Sequence, residues 1–265
     1  MEMGFAFVDR TLMSAKTEVG PDYGAPSSVQ SALRDIVWLH GVSSQTIDRL
    51  ASQAVLHRVP AGSILFEQGE IPMFAQFLLA GSVEMLGCRN EAETLVELIL
   101  PVDMILPATL VTEQPYLMRA RVNEEAQLLL VRGKEFRDAI ASDLGLCSAV
   151  LACVAAQFRR QVRHSKNLKL RSAEDRVGCY LVSLLGDVMT GVSIQLPIEK
   201  RLIASQLGMT RETFSRALAG MAKFGMIIRG DILYVEDSAS ARTRFPLDPL
   251  IDGGEPISLL GKTKL

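Results

Sequence analysis

Residues 197–235 read PIEKRLIASQLGMTRETFSRALAGMAKFGMIIRGDILYV, and the rest of the chain is best read outward from them. Pro197 to Gln206 and Thr210 to Lys223 both carry helical periodicity, and only Leu207-Gly208-Met209 separates them. Pro197 suits the first turn of the leading helix, where its missing N–H costs nothing. Gly208 supplies a tight turn and Thr210 a cap for the second helix. Met226 to Arg229 and Ile232 to Val235 follow as two short strands about Gly230-Asp231, a hairpin signal. Two helices joined by a Gly-containing turn and followed by a hairpin predict a helix-turn-helix with a wing.

The second helix divides into two faces. Phe214, Leu218 and Met221 fall at i, i+4 and i+7, a spacing that sends them to the core. Glu212, Ser215, Arg216 and Lys223 lie mainly on the opposite side. Arg216 has the fork that bonds guanine O6 and N7, Glu212 accepts from cytosine N4, and Ser215 works either way. Each good bidentate contact is worth roughly 1–3 kcal/mol of discrimination. Lys200, Arg201, Thr210, Arg211 and Lys223 suit phosphate contacts, which add affinity without sequence information. The plainer reading makes Glu212 and Arg216, at i and i+4, a surface ion pair.

Charge supports the first reading by its distribution rather than its sum. Met1 to Phe158 holds 11 Lys/Arg against 19 Asp/Glu, whereas Arg159 to Arg229 holds 13 against 5. An acidic front joined to a basic segment fits one domain that meets phosphate and one that does not. Upstream, Glu135 to about Leu170 is helical in pattern, with Gly145 as a candidate break. Val150, Val154, Phe158 and Val162 recur every four residues, and with Gln161 they form a candidate dimerisation seam. Packing of that stripe against its own domain is the alternative.

From His57 to Arg132 short apolar runs alternate with turn residues at roughly ten-residue intervals, which predicts a small antiparallel barrel or sandwich. Ser28 to Leu39 and Ser44 to Leu56 read as short helices, with residues 1–28 a loose arm. After Asp237 the chain turns Ser-, Pro- and Gly-rich, so residues 238–265 are expected to be a flexible tail.

The longest nearly uncharged run, Leu144 to Phe158, falls short of the ~20 residues a membrane helix needs. The acidic N-terminus is a poor signal peptide, so the expectation is a cytoplasmic protein with no membrane partner. Cys88, Cys147, Cys153 and Cys179 form no C-x-x-C pair, and His40, His57 and His164 stand singly. Neither set has metal-ligand or haem-ligand spacing, and no Ser/His/Asp constellation or phosphate-cradling glycine loop stands out. No cofactor, no metal and no enzyme activity are expected.

Thr210-Arg211-Glu212-Thr213-Phe214-Ser215-Arg216 within a helix-turn-helix resembles the Crp/Fnr superfamily. So do Val59-Pro60-Ala61-Gly62-Ser63-Ile64-Leu65-Phe66-Glu67-Gln68-Gly69-Glu70 and Leu79-Ala80-Gly81-Ser82-Val83, and the resemblance covers roughly Ser31 to Asp237. It implies an α+β architecture: a cyclic-nucleotide-binding-like β-roll over residues 29–140, a long dimerisation helix over 141–170 and a winged helix-turn-helix over 171–237. The Glu-x-x-Ser-Arg form of Glu212, Ser215 and Arg216 is similar to the Fnr branch, which implies a homodimer reading palindromes with TTGA half-sites. Double-stranded DNA is the implied partner, with RNA polymerase a second if the protein activates.

The departures bear on the effector. Where relatives that bind cyclic AMP carry a Gly-Glu pair and then an arginine, this chain has Asp103-Met104-Ile105-Leu106-Pro107-Ala108 and Glu113-Gln114-Pro115-Tyr116. No arginine precedes Arg119 to neutralise a phosphate, and an unpaired buried phosphate is costly. The clustered N-terminal cysteines of oxygen-sensing members are absent. The effector is thus left unidentified and is not expected to be cyclic AMP. The competing reading is a module responsive to a cyclic nucleotide, or to haem and gas, that acts through protein contacts.

Overall fold

The computed structural model describes residues 26–90, 92–186 and 191–253. Most of the expected N-terminal arm and residues 254–265 of the expected tail lie outside them. The chain divides into two units whose boundary runs through the long helix, between Val154 and Ala155.

The first unit grows from one long strand. Strand β6 (Arg119–Arg132) pairs antiparallel with β1 (Ala54–Val59), β2 (Ile64–Phe66) and β3 (Phe74–Arg89), and the sheet is completed by β4 (Ala92–Ile99) and β5 (Asp103–Met104). β6 alternates strictly. Ala120, Val122, Ala126 and Leu128 enter one apolar cluster, and Leu129 and Val131 enter a second. β3 changes phase midway: Ala75 and Phe77 face the second cluster, yet Val83 and Met85 face the first. The register shifts between Leu78 and Val83 account for this, because one extra residue moves every later side chain to the other face. Gly81 sits in that bulge at φ +79°, with β6 so near that a Cβ would lie 2.2 Å from the Glu125 carbonyl oxygen.

Helices α1 (Pro26–Asp35) and α2 (Ser44–Ser52), the short α3 (Pro107–Thr112) and α4 (Gly133–Ser142) belong to the same unit. Ser43 caps α2 by accepting from the Thr46 amide. The second expected helix ends earlier than its pattern suggests, since Ala54 to Leu56 pair with Leu129 to Val131 as strand. The expected helix from Glu135 to Leu170 is likewise two, α4 and the long α5 (Leu144–Leu170), at 113° to one another. The break falls at Asp143 rather than Gly145. Asp143 leaves the helical region (φ −128°, ψ 109°), and its carboxylate accepts from the Leu146 amide at 3.0 Å and the Ser43 hydroxyl at 2.6 Å.

This turn sorts the candidate dimerisation stripe. Val150 joins Leu146 and Cys153 in the core with Trp38, Phe77 and Phe136, and Val154 is half-buried against it. Val150 therefore packs within its own unit and is corrected as a seam residue. Leu151 and Phe158 are each 67% exposed and Val162 is exposed beyond them, while Gln161 is half-buried.

The second unit continues with α6 (Ala173–Leu184), capped by Ser172, and β7 (Val192–Gln195). Helices α7 (Lys200–Gln206) and α8 (Arg211–Gly220) precede a 3-10 turn (Met221–Phe224) and the hairpin β8 (Met226–Arg229) and β9 (Ile232–Val235). β9 pairs with both β8 and β7, so the wing has three strands where the sequence showed two. Pro197 lies outside helix α7, whose cap is Glu199, correcting the expectation that it opened that helix. The expected flexible tail is corrected over its described part: Ser238–Arg244 form helix α9, capped by Asp237, and Phe245 is buried in the unit's core. No single helix among the described residues is long and apolar enough to cross a membrane.

Candidate nucleic-acid interface

Local chemistry sets the angle between the two helices of the motif. The α7 cap residue Leu207 bonds back to Ile203, and Gly208 then adopts φ +63°. Thr210 starts α8 with its hydroxyl oxygen accepting from the Thr213 amide at 3.3 Å, which satisfies one of the donors a helix start leaves open. Phe214 and Met221 are buried and Leu218 is half-buried against the core of Ile203, Ala204, Leu207 and Leu233.

That anchoring leaves Arg211, Glu212, Ser215 and Arg216 exposed on the outer face. Among the described ion pairs none joins Glu212 to Arg216; the Arg216 guanidinium approaches the Thr213 hydroxyl at 3.4 Å instead. The plainer reading of Glu212 and Arg216 as a surface pair thus finds no contact. A hydrogen bond from its own backbone N–H, then one with the Thr210 hydroxyl, holds the Glu212 carboxyl below its usual range. At neutral pH Glu212 presents a charged acceptor, as pairing with a cytosine amine requires.

Beside this face runs a cleft lined by Glu199, Lys200, Arg201, Arg211, Ser215 and Asp231, floored by Phe214 and Leu218. Three of the cations expected to meet phosphate converge there. Lys223 does not line it: its Nζ lies 3.5 Å from Glu174 and 4.9 Å from the centre of the Phe224 ring. Thr210 has its oxygen committed to the cap. Sequence reasoning missed the two carboxylates. Glu199 accepts from Arg201 Nε at 2.8 Å, so part of the positive charge is neutralised within the site. Their positions directly before α7 and at the hairpin turn were the available signal.

In the β-roll, the segment from Asp103 to Thr112 forms β5 and α3 with Leu106 in the left-handed region between them. Arg119 donates to Glu67 at 2.7 Å and pairs with Glu93. Arg121 donates to Glu84 at 2.7 and 2.9 Å and to Glu93 at 3.0 Å. Both strand arginines are thereby engaged with carboxylates, and Glu84 is only 3% exposed. Phe66 stacks on Tyr116 with ring centres 3.6 Å apart, among the apolar side chains of Leu78, Met85 and Ile105. Burial pushes the Tyr116 hydroxyl up to about 12.

A β-roll followed by a long helix and a winged helix-turn-helix with a basic outer face defines a DNA-binding regulator. Residues 175–239 match the Crp-like helix-turn-helix domain and residues 56–143 match the cyclic nucleotide-binding domain, together more than half of the chain. The chain belongs to the Crp/Fnr superfamily, a family of DNA-binding transcription regulators. It is 24% identical over 193 residues to the cyclic AMP receptor protein of Thermus thermophilus, covering 72% of this chain and 88% of that one. Its fold is similar to that of FixK2 from Bradyrhizobium japonicum (19% identity, 72% of this chain and 96% of that one, TM-score 0.59). It is also similar to that of the c-di-GMP responsive regulator CLP of Xanthomonas campestris (17%, 73% and 99%, TM-score 0.60).

Proposed function

We propose that the protein acts as a homodimeric transcription regulator that reads a palindrome with TTGA-like half-sites through Glu212, Ser215 and Arg216. The observation that carries this is the sorting of α8 into a buried Phe214/Met221 face and an exposed Arg211/Glu212/Ser215/Arg216 face beside the basic cleft. Lys200, Arg201 and Arg211 supply phosphate contacts, which are salt-sensitive and blind to sequence. The half-site itself comes from the resemblance of the Glu-x-x-Ser-Arg pattern to the Fnr branch. The site of action is the cytoplasm, with RNA polymerase as partner if binding activates. The effector is something other than cyclic AMP, because residues 103–118 contain no cation and the arginines that follow are held by Glu67, Glu84 and Glu93.

The test is fluorescence anisotropy of a labelled TTGAT–ATCAA palindrome against a scrambled duplex, at two salt concentrations. Arg216→Ala is expected to lose roughly 1–3 kcal/mol of discrimination at one guanine, whereas Lys200→Ala weakens both duplexes alike. Equal loss on both duplexes in Arg216→Ala would assign that residue to phosphate and remove the reading face.

A further inference from the structure

The segment beyond the wing is tied to three places in the second unit. At its far end the carboxylate of Asp252 takes both Nη atoms of Arg171, at 2.5 and 2.6 Å, with the two side chains only 12% and 10% exposed. Asp252 is itself shaped for this: its carboxylate also accepts from the Asp248 amide at 2.8 Å, and its amide donates to the Asp248 carbonyl at 2.7 Å. Arg171 is the residue directly after α5, and Lys166, within the last turns of that helix, donates to the Leu250 carbonyl at 3.3 Å.

The middle of the segment grips α6. Arg244 bonds Asp175 at 2.9 Å and Glu174 at 3.3 Å. Phe245 lies where a Cβ on Gly178 would come within 2.3 Å of its ring, so this helix has a notch only glycine leaves open. The Phe245 ring then meets Phe224 edge-on at 5.1 Å, and Phe224 ends the 3-10 turn that continues directly from α8. One segment thus touches the end of the long helix, α6 and the 3-10 turn that continues from the reading helix. A largely shielded, bidentate pair fixes angle as well as distance, and replacing one partner leaves a poorly solvated charge behind.

We propose that residues 238–252 form a positioning strap, with Arg171–Asp252 as its clasp, that sets the angle of the reading helix against the last turns of α5. Arg171, Arg244, Phe245 and Asp252 are positioning residues, which act through the reading helix. The inference rests on the dimeric, palindrome-reading function above. In a dimer joined through α5 that angle dictates the separation of the two reading helices, so the strap governs which half-site spacing is accepted.

The experiment measures affinity of the full chain for TTGA palindromes whose half-sites lie about one helical turn (~34 Å) apart and for the same palindromes with one or two base pairs inserted, alongside thermal unfolding. Wild-type protein is expected to prefer one spacing by about tenfold or more, and Asp252→Asn to flatten that preference to within about threefold while keeping its preference for TTGA over scrambled half-sites. The exchange Arg171→Asp with Asp252→Arg is expected to restore the preference. A folded Asp252→Asn protein with wild-type spacing preference overturns the strap and leaves the dimeric reading intact. Should Asp252→Asn fail to fold, Arg244→Gln, which releases an exposed anchor, decides the matter by the same spacing ratio. A wild-type protein that accepts all spacings equally sinks the dimeric reading and the strap with it.

Discussion

Gly208 faces Leu168 so closely that a Cβ on the glycine would lie 2.5 Å from the leucine Cδ2. The turn between the two helices of the DNA-binding motif is therefore constrained twice, by its backbone at φ +63° and by the side chain packed over it. The leucine methyl can yield, but the left-handed backbone cannot be relieved without moving α8. Gly208→Ala is expected to lower stability by about 1–3 kcal/mol, of which about 1–2 is the left-handed conformation. Thermal unfolding checks it. Adding Leu168→Ala should relieve only the contact part, and complete rescue would show that the backbone term is negligible.

Cyclic AMP should leave the melting temperature where it is. A ligand that binds only the folded state at 100 times its Kd stabilises by about 2.7 kcal/mol, a shift readily seen in a thermal scan. To bind here, the cyclic phosphate would have to take Arg119 from Glu67 and Glu93, or Arg121 from Glu84 and Glu93, and the second choice would leave the 3% exposed Glu84 carboxylate without its guanidinium. A saturable upward shift with millimolar cyclic AMP would show that the carboxylates yield and that the effector assignment is wrong.

The parts legible in the sequence were those written in local spacing. The dry face of α8, the Thr210 cap and the β8–β9 hairpin each depend on neighbours within a few residues, and each is where the pattern placed it. What escaped was decided by distant partners. Asp143 breaks the long helix because Ser43, a hundred residues earlier, supplies its hydroxyl. Val150 is a core residue because its side of α5 joins the cluster that holds Trp38 and Phe77, which no periodicity along α5 reveals. The tail looked mobile because its helix is short, polar and rich in serine; Phe245 and Asp252 hold it through α6 and Arg171. In the candidate site, the exposure of Arg211, Glu212, Ser215 and Arg216 was legible, but the carboxylates of Glu199 and Asp231 in the adjoining cleft were not.

Asp143 should also mark the acid limit of the first unit. Hydrogen bonds from the hydroxyls of Ser43 and then Thr46, with the Leu146 amide, hold its carboxyl far below the ordinary carboxylate range. A folded-state value below the unfolded one, about 3.9, stabilises the fold at higher pH, and that contribution is lost as pH falls from about 4. Asp143→Asn is expected to unfold at lower temperature than wild type at pH 7, with the gap closing as pH drops below 4. A gap that stays constant across that range would mean that the charge contributes nothing and only the hydrogen-bond geometry matters.

In the proposed homodimer, the exposed part of α5 should separate dimerisation from folding. Phe158 and Leu151 are each 67% exposed, and two large apolar side chains on one long helix are a costly surface to leave in water. In the proposed homodimer a second copy of the helix covers them. Phe158→Asp is expected to convert the protein to a monomer in sedimentation at micromolar concentration with its thermal unfolding still cooperative, and to weaken palindrome binding because two half-sites no longer reinforce each other. Val150→Ala should act in the opposite sense, since its side chain is 4% exposed within the core shared with Leu146 and Cys153. Its cost is about 1–3 kcal/mol of stability from the cavity left behind, with the dimer retained. If Val150→Ala yielded a stable monomer while Phe158→Asp stayed dimeric, the association surface would lie away from this face of α5, and the spacing argument built on it would fail.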